Sequence, residues 1–349
     1  MKSGKHRFLL ILDVVLVAAL GLGIFLFQKR IDRQEESAAE AENHGQRINR
    51  SISYQGKDYQ IKDNLDSVLL IGTDSRQGFG ESQLQGKTNP KLADVLVLLV
   101  IDHDKKTITP IQLCRETVCQ VPWVTESGQT GGTEERQIAL AFSFGSGGKD
   151  SCRNTRNAVQ ELLFQVPVDH FLAFEMEAIP LLSDIVGGVT VTLSEDILEL
   201  GPAYKSGESV SLSGDEALHF IRYIGEEQPA GSDERFVRHR LYMEALLGKL
   251  KKSNGALILF SKSAREAIAN DPNLAEEGLK GAAKYISTDL SMTQIKDLFD
   301  KINKYEIMPT IFPEGVFAAD DAGVTFRAEE ASLWACVEET FCQTNNLSS

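Results

Sequence analysis

Apolar and polar positions alternate along most of the chain with the two periods of regular secondary structure. Four segments of strand length are apolar or β-branched and predict strands, the first two of the type buried on both faces of a sheet: 67–72, 95–101, 107–113 and 189–193. Four others have the helical spacing of apolar residues and predict helices: 153–164, 175–186, 214–224 and 233–250. No interval between them is long enough to separate two domains.

This alternation predicts a single domain over residues 51–345, of the α/β (α+β) class, with a central mixed sheet sandwiched by helices. Residues 256–305 are largely helical in pattern and are followed by a short predicted strand near 305–312. We therefore expect residues 251–345 to form a helical C-terminal extension.

The chain begins with a candidate membrane anchor. Phe8 to Phe27 is an apolar run of 20 residues in which Asp13 is the one charged position. At about 1.5 Å per residue, a helix of this length spans about 30 Å, the thickness of the hydrocarbon core of a bilayer. A cleaved signal peptide has a shorter apolar core followed by small residues, whereas here Gln28-Lys29-Arg30 closes the run. The pattern favours an uncleaved transmembrane helix at 8–27, with a tail at 1–7 and a polar stalk at 28–50.

The charge distribution limits the partners and the orientation. Residues 1–33 carry six basic and two acidic side chains, whereas the whole chain has a net charge of −14. So acidic a chain is a poor candidate for nucleic-acid binding. Basic residues flank the apolar run on both sides, so the positive-inside rule alone does not orient it. The short tail before it and the large domain after it favour a cytoplasmic N-terminus.

A nucleotide site is not expected. Gly86-Lys87-Thr88 has the end of a phosphate-binding loop, but Glu81 occupies the position of its first glycine. Asn89-Pro90 then follows, where a helix should begin.

The chain has five cysteines and no CxxC pair, which argues against a zinc site. In a domain outside the cell a disulfide is favoured over zinc, and we expect one from Cys152 to Cys114 or Cys119. Cys336 and Cys342 are near enough in sequence to form a second pair.

Acidic and basic residues at the ends of the predicted strands are the remaining candidates for chemistry. Asp74 follows the first strand, Asp94 precedes the second and Arg115 follows the third, while Arg222, Arg235 and Arg238 lie on or between two later helices. Carboxylates of this kind suit Mg²⁺, and arginines suit phosphate. Each residue alone is usually an ordinary solvated side chain, but the set favours phosphoryl or pyrophosphate chemistry.

The sequence resembles the LytR-CpsA-Psr family over about residues 65–250. Six segments carry the resemblance, in the order and at the spacing of the family: Leu69–Arg76, Ala93–Leu96, Cys114–Thr117, Ile138–Gly145, Asp184–Val191 and Leu212–Arg222. The resemblance implies a single-pass protein of the cell membrane in a Gram-positive-type bacterium, with its C-terminal domain outside the cell. It also implies transfer of a glycopolymer, of the teichoic acid or capsular polysaccharide type, from a polyprenyl-pyrophosphate carrier to a peptidoglycan hydroxyl.

The same resemblance assigns roles to individual residues. Asp74 and Asp94 would bind Mg²⁺ (or Mn²⁺), and one of them is a candidate base for the acceptor hydroxyl. The catalytic set would be Asp74, Asp94, Arg115, Arg222 and Arg235. The residues expected to bind the pyrophosphate are Arg76, Arg115, Arg222, Arg235, Arg238 and His239. Helices around 164–174 and 179–185 are candidate walls of a groove for the lipid.

Three positions depart from the family pattern. Leu92 and Ile224 stand where the family has arginine, and His239 stands where it has glutamine. Two other functions therefore stay open: an anchored, non-catalytic protein that binds or regulates the cell envelope, and an anchored hydrolase of lipid pyrophosphates.

Overall fold

A six-stranded mixed sheet is the centre of the computed structural model, which describes residues 51–74, 91–124, 130–145, 148–176, 178–185, 187–223, 233–252, 285–320 and 323–343. Strands in this part of the chain are numbered in order: β1 (Ser51–Tyr54), β2 (Lys57–Gln60), β3 (Leu65–Thr73), β4 (Ala93–Asp102), β5 (Thr107–Leu113), β6 (Val118–Val124), β7 (Thr130–Gln137), β8 (His170–Glu175), β9 (Val189–Thr192), β10 (Ser209–Leu212), β11 (Ile286–Thr288), β12 (Glu306–Ile307), β13 (Gly315–Asp320) and β14 (Gly323–Ala328). The α-helices are α1 (Leu140–Ser143), α2 (Gly148–Leu162), α3 (Ala178–Ile185), α4 (Gly214–Arg222), α5 (Asp233–Lys252), α6 (Met292–Lys304) and α7 (Glu330–Phe341).

The strand order of the central sheet is β11-β8-β3-β4-β5-β12. β3, β4 and β5 are consecutive antiparallel neighbours, whereas β8 lies parallel to β3 on its other side. The edge strands β11 and β12 pair antiparallel with β8 and parallel with β5. The predicted mixed sheet is therefore confirmed.

Both faces of this sheet are covered by helices. Leu69 and Leu98 belong to one buried cluster with Phe142 of α1, Val159 of α2 and Val337 of α7. Alternate residues of the same strands, among them Leu70 and Leu99, pack with Leu247 of α5 and Leu298 of α6 on the other face. Burial on both faces explains why β3 and β4 are continuous apolar runs rather than alternating ones.

Local sequence explains where two of the helices near the sheet begin and end. α4 begins with a capping box, in which the carboxylate of Glu216 accepts hydrogen bonds from the backbone N–H of Ser213 at 3.3 Å and from its hydroxyl at 3.2 Å. α3 is followed by Gly187 and Gly188 at φ +73° and +83°, a conformation that favours glycine. The N–H of Gly188 bonds the carbonyl of Ser183 at 2.8 Å, and the chain then enters β9.

The first and the last described elements pack against each other. The ring of Tyr54 in β1 stacks on Trp334 of α7, with ring centroids 4.2 Å apart. The N–H of Lys62 donates to the carbonyl of Phe341 at 2.8 Å, and Ile61 forms a β-bridge with Cys342. The residues that follow β2 are thereby bonded to the end of α7.

Several predicted boundaries differ from the observed ones. Residue 175 ends β8 rather than beginning a helix, and the chain from 170 to 174, expected as part of a helical wall, is a strand. The C-terminal segment is not only helical, because it supplies β11 and β12 to the central sheet as well as the hairpin β13–β14. Among the residues that the structure describes, no helix has the length and apolar character needed to cross a bilayer. The predicted anchor (8–27) and stalk (28–50) lie outside those residues.

The expected disulfides are wrong. All five cysteines are free thiols and all are buried. The negative charge of Glu161 acts on the thiol of Cys119, and the thiol of Cys152 has a hydrogen bond with the side chain of Ser287. The thiol of Cys114 donates instead to the carboxylate of Glu116 at 3.2 Å. The sequence indicated an oxidising compartment but contained no information on which thiols meet.

Burial should make these thiols unreactive in the native protein. Loss of solvation raises the pKa of Cys119 and of Cys152 to about 12, and of Cys336 and Cys342 to about 11. At pH 8, below these values, the reactive thiolate is therefore scarce. We expect iodoacetamide to leave the folded protein almost unmodified at pH 8 and to add five carbamidomethyl groups after unfolding without reductant, as counted by intact mass. Fewer than five groups in the unfolded sample would reveal a disulfide.

Candidate active site

Four strand ends meet at one edge of the central sheet. β3 and β8 end there because they are parallel, β4 starts there because it is antiparallel to β3, and β5 returns to the same edge. The edge therefore holds Asp74 after β3, Asp94 at the start of β4, Arg115 after β5 and Glu175 at the end of β8. Three of these residues were predicted from strand ends in the sequence, and the structure places them at the same edge.

Arg115 and Asp94 form an ion pair at this edge. A guanidinium nitrogen of Arg115 donates to the carboxylate of Asp94, whose side chain is only 4% exposed. The Nε of Arg115 lies 3.2 Å from Glu116 Oε1, and Glu116 Oε2 accepts the thiol of Cys114 at 3.2 Å. The guanidinium is thereby fixed between two carboxylates at the strand ends.

Asp74 is held beside the same strand. Its Oδ1 accepts a hydrogen bond of 3.0 Å from the N–H of Leu92, two positions before Asp94. Lys91 directly precedes Leu92 in the chain. Its Nζ lies 2.9 Å from Glu175 Oε1, and the Glu175 side chain is wholly buried. Glu175 is paired with Thr73 in the ladder between β8 and β3, so this second ion pair also belongs to the edge.

An apolar cavity opens beside the charged strand ends. The volume that a water-sized molecule can occupy in it is about 130 Å³, and the cavity is partly open to solvent. Asp94, Glu175 and His239 are among its lining residues, but most of the wall is aliphatic or aromatic, with side chains from the sheet and from α3, α5 and α6: Leu70, Val95, Leu99, Leu172, Phe174, Ile179, Tyr242, Met243, Leu246, Leu247, Leu298, Phe299 and Ile302.

The polar groups on the helical wall are engaged with the protein. Tyr242 Oη and Ser183 Oγ are 2.8 Å apart, and burial raises the pKa of Tyr242 to about 12, so its phenol is neutral at physiological pH. His239 Nε2 lies 3.1 Å from the carbonyl oxygen of Ile221. These contacts leave the carboxylates at the strand ends as the charged part of the lining. His239, one of the predicted pyrophosphate-binding residues, is thus placed in the same cavity as Asp94.

Arg238, the residue before His239 on α5, points elsewhere. It is 1% exposed, and its guanidinium bonds Glu195 and the carbonyl of Tyr223, the latter at 2.6 Å. A buried guanidinium needs such partners to offset the loss of water. Successive helical residues point about 100° apart, which explains why the two neighbours differ. The structure therefore ties Arg238 to Glu195, which follows β9, and to the end of α4, and no described contact joins it to the strand-end pair.

The remaining predicted arginines are only partly placed. Arg222 is exposed at the end of α4, directly after Ile221, which lines the cavity. Arg235 lies in the first turns of α5, but its side chain is outside the described part of the structure, as is the whole of Arg76. Their roles stay predictions.

Asp74 and Asp94 fit a hard divalent cation in part. Both offer carboxylate oxygens at the same edge, and Mg²⁺ is commonly held by one or two carboxylates together with substrate phosphates and water. Within the described residues, no group of three or more His, Cys, Asp or Glu is arranged to hold a metal ion. A site completed by phosphate oxygens is compatible with both observations.

A family model for the LytR_cpsA_psr family matches residues 26–311. The chain belongs to the LytR-CpsA-Psr family. Two relatives are named polyisoprenyl-teichoic acid–peptidoglycan teichoic acid transferase TagU. The one from Halalkalibacterium halodurans is 25% identical over 82% of this chain and 87% of its own length. The one from Enterococcus faecalis is 23% identical over 99% of both chains.

Solved structures of the family share the fold. A structure described as TagT bound to LI-WTA superposes with a TM-score of 0.56, at 20% identity, over 79% of this chain and 89% of that one. The predicted family and the predicted mixed α+β architecture are therefore both confirmed.

Sequence reasoning missed Lys91, Glu116 and Glu175 as members of the site. The helical pattern of 175–186 predicts Glu175 at the start of a helix, whereas the structure places it at the end of β8. The signal was present, since Pro167 precedes a run of strand length from His170 to Phe174.

Removing the two partners of the central ion pair should have unequal effects on stability. Arg115→Ala leaves Asp94 and Glu116 without the cation between them, which should cost about 3 kcal/mol. Asp94→Ala should cost much less, because Arg115 keeps Glu116. The comparison is made by urea unfolding of the full chain in detergent at pH 7. Arg153→Ala removes an exposed pair with Asp150 and is the control, with almost no expected change. Equal losses for Asp94→Ala and Arg115→Ala would contradict this account.

Proposed function

We propose that the protein is a membrane-anchored phosphotransferase that moves a glycopolymer, of the teichoic acid or capsular polysaccharide type, from a polyprenyl-pyrophosphate carrier to peptidoglycan. The observation that carries the proposal is the Asp94–Arg115 pair at the end of an apolar cavity. A substrate with a long hydrocarbon chain and a charged pyrophosphate needs both environments side by side. The names of the relatives, which are teichoic acid transferases, support the same conclusion.

In the proposed reaction an oxygen of the acceptor hydroxyl attacks the phosphorus that carries the glycan. The bond from that phosphorus to the bridging oxygen of the pyrophosphate breaks, and polyprenyl monophosphate leaves. The proton of the hydroxyl passes to a carboxylate at the strand ends, Asp74 or Asp94, or to water. Arg115 stabilises the charge that develops on the phosphate oxygens, which is the main contribution a protein makes to phosphoryl transfer.

Asp74 and Asp94 would hold Mg²⁺ (or Mn²⁺), which would neutralise charge on the pyrophosphate when bound. The described charged groups at the edge support this part of the proposal. Four carboxylates, from Asp74, Asp94, Glu116 and Glu175, lie with two cationic side chains, Arg115 and Lys91. Their net charge of −2 is what one divalent cation balances, and it would otherwise repel a pyrophosphate.

The anchor places the domain at the membrane, where such a lipid-linked donor is found. If 8–27 is an uncleaved span with a cytoplasmic N-terminus, protease added to intact, wall-stripped cells should digest residues 34–349. Sequencing of the untreated protein should find that it begins at Met1. A protein of the cytoplasm serves as the control for cell integrity. Recovery of a soluble chain that begins near Lys29 would show a cleaved signal instead.

Substitutions in the central pair should separate catalysis from binding. Asp94→Ala should abolish metal-dependent turnover, and Arg115→Ala should lower kcat by roughly 10³-fold or more. Turnover is measured as release of polyprenyl monophosphate from a lipid-linked glycan, with and without a glycan acceptor and with Mg²⁺ or EDTA. Arg153→Ala, an exposed arginine of α2, should keep full turnover.

The same assay distinguishes the other two functions. Turnover that does not need the acceptor indicates a lipid-pyrophosphate hydrolase. Binding of the donor without turnover indicates an envelope-binding or regulatory protein. Full transfer by Asp94→Ala protein would contradict the proposed catalytic role of this residue.

A further inference from the structure

Lys91 and Glu175 form a second ion pair at the strand ends. Lys91 Nζ is 2.9 Å from Glu175 Oε1, and the two side chains are 16% and 0% exposed. Glu175 lines the apolar cavity that Asp94 also lines, and Lys91 stands three positions before Asp94 in the chain. The ammonium is therefore held against a carboxylate that lines the charged end of the cavity.

Stability alone does not account for a charged pair at this place. A wholly buried carboxylate loses its hydration, and the attraction of one ammonium roughly compensates for that loss. Apolar residues of similar size are often as stable as a buried ion pair or more so. The residues that flank Glu175 are Phe174 and Met176, and both line the cavity as part of its apolar wall. A carboxylate here has the effect of holding a positive charge where the apolar lining ends.

We propose that Lys91 binds a phosphate oxygen of the lipid pyrophosphate, and that Glu175 is a positioning residue that holds the ammonium in place. This inference rests on the proposed function. A hydrocarbon chain in the cavity would leave its pyrophosphate beside Asp94 and Glu175, next to the lysine that pairs with Glu175. An ammonium has three N–H donors, so it can bond a phosphate oxygen while it retains Glu175.

The test compares two ligands that share a hydrocarbon tail, farnesyl pyrophosphate and farnesol. Binding to the full chain in detergent is measured by calorimetry, in Mg²⁺ and in EDTA. Lys91→Met keeps the apolar stem of the side chain and removes its charge. This substitution should weaken the binding of farnesyl pyrophosphate by about 10- to 100-fold, the effect of losing a charge-assisted hydrogen bond. It should leave the affinity for farnesol unchanged.

A matched control is available at another part of the sheet. Lys301 Nζ lies 3.0 Å from Asp66 Oδ2, and its side chain is 17% exposed, close to the value for Lys91. Lys301→Met removes a lysine of similar exposure from its pairs with Asp66 and Asp297 and should change neither affinity. Lys91→Arg keeps the positive charge and should retain most of the affinity for farnesyl pyrophosphate.

A double variant separates binding from stability. Lys91→Met alone leaves Glu175 buried without this partner and should lower the melting temperature. Lys91→Met with Glu175→Gln removes both charges and should restore most of the melting temperature but not the affinity for the pyrophosphate. Recovery of that affinity in the double variant, or wild-type affinity in Lys91→Met, would overturn the role of Lys91.

Different results would contradict the proposed function and the role of Lys91. Wild-type protein that binds farnesyl pyrophosphate no better than farnesol would contradict the proposed function and the role of Lys91 together. Wild-type protein that discriminates between the ligands, with Lys91→Met discriminating equally well, would contradict the role of Lys91 alone.

Discussion

Backbone hydrogen bonds between β3 and its two neighbours determine where the charges of the site lie. Because β4 runs antiparallel to β3 and β8 runs parallel to it, the start of one and the end of the other fall at the same edge. A shift of register by one residue would turn Asp94 to the opposite face of the sheet, away from the cavity. The register changes between Gly72 and Thr73, just before Asp74. A Cβ on Gly72 would lie 2.9 Å from the Cβ of Val95, so the absence of a side chain at Gly72 allows the two strands to approach each other at this point.

The same sheet sets two environments beside each other. Its strands are apolar on both faces, and their ends carry the acidic and basic groups, so the boundary between low and high polarity coincides with the edge of the sheet. Charges at such a boundary interact more strongly than they do in water, because the neighbouring protein is poorly polarisable. The electrostatic attraction between Arg115 and Asp94 is therefore stronger than that of an exposed pair such as Arg153 and Asp150.

The sequence was sufficient to predict features that depend on the residues within one segment. The apolar runs of β3 and β4 predicted strands covered on both faces, and the polar residues at the ends of β3, β4 and β5 predicted that Asp74, Asp94 and Arg115 lie together. Features that depend on distant pairing were not predictable in the same way. Glu175 joins the site only because β8 inserts beside β3, and Arg238 leaves it because a helix turns adjacent residues to different sides. The free thiols have the same explanation, since the distance between two cysteines is set by the packing of α2 and β6 rather than by their spacing.

Contact between the beginning and the end of the domain has a consequence for the order of folding. Lys62 Nζ bonds the carbonyl of Thr340 at 2.7 Å across 278 positions of sequence. The ribosome synthesises the chain from its N-terminus. Tyr54 is therefore made long before Trp334 and cannot contact it until nearly the whole domain has been synthesised. Closure over so long a separation is slow and exposes aromatic surface in the meantime. Without α7 this aromatic surface would stay exposed. Chains truncated at the C-terminus should therefore accumulate as aggregates or protease fragments rather than as smaller folded domains.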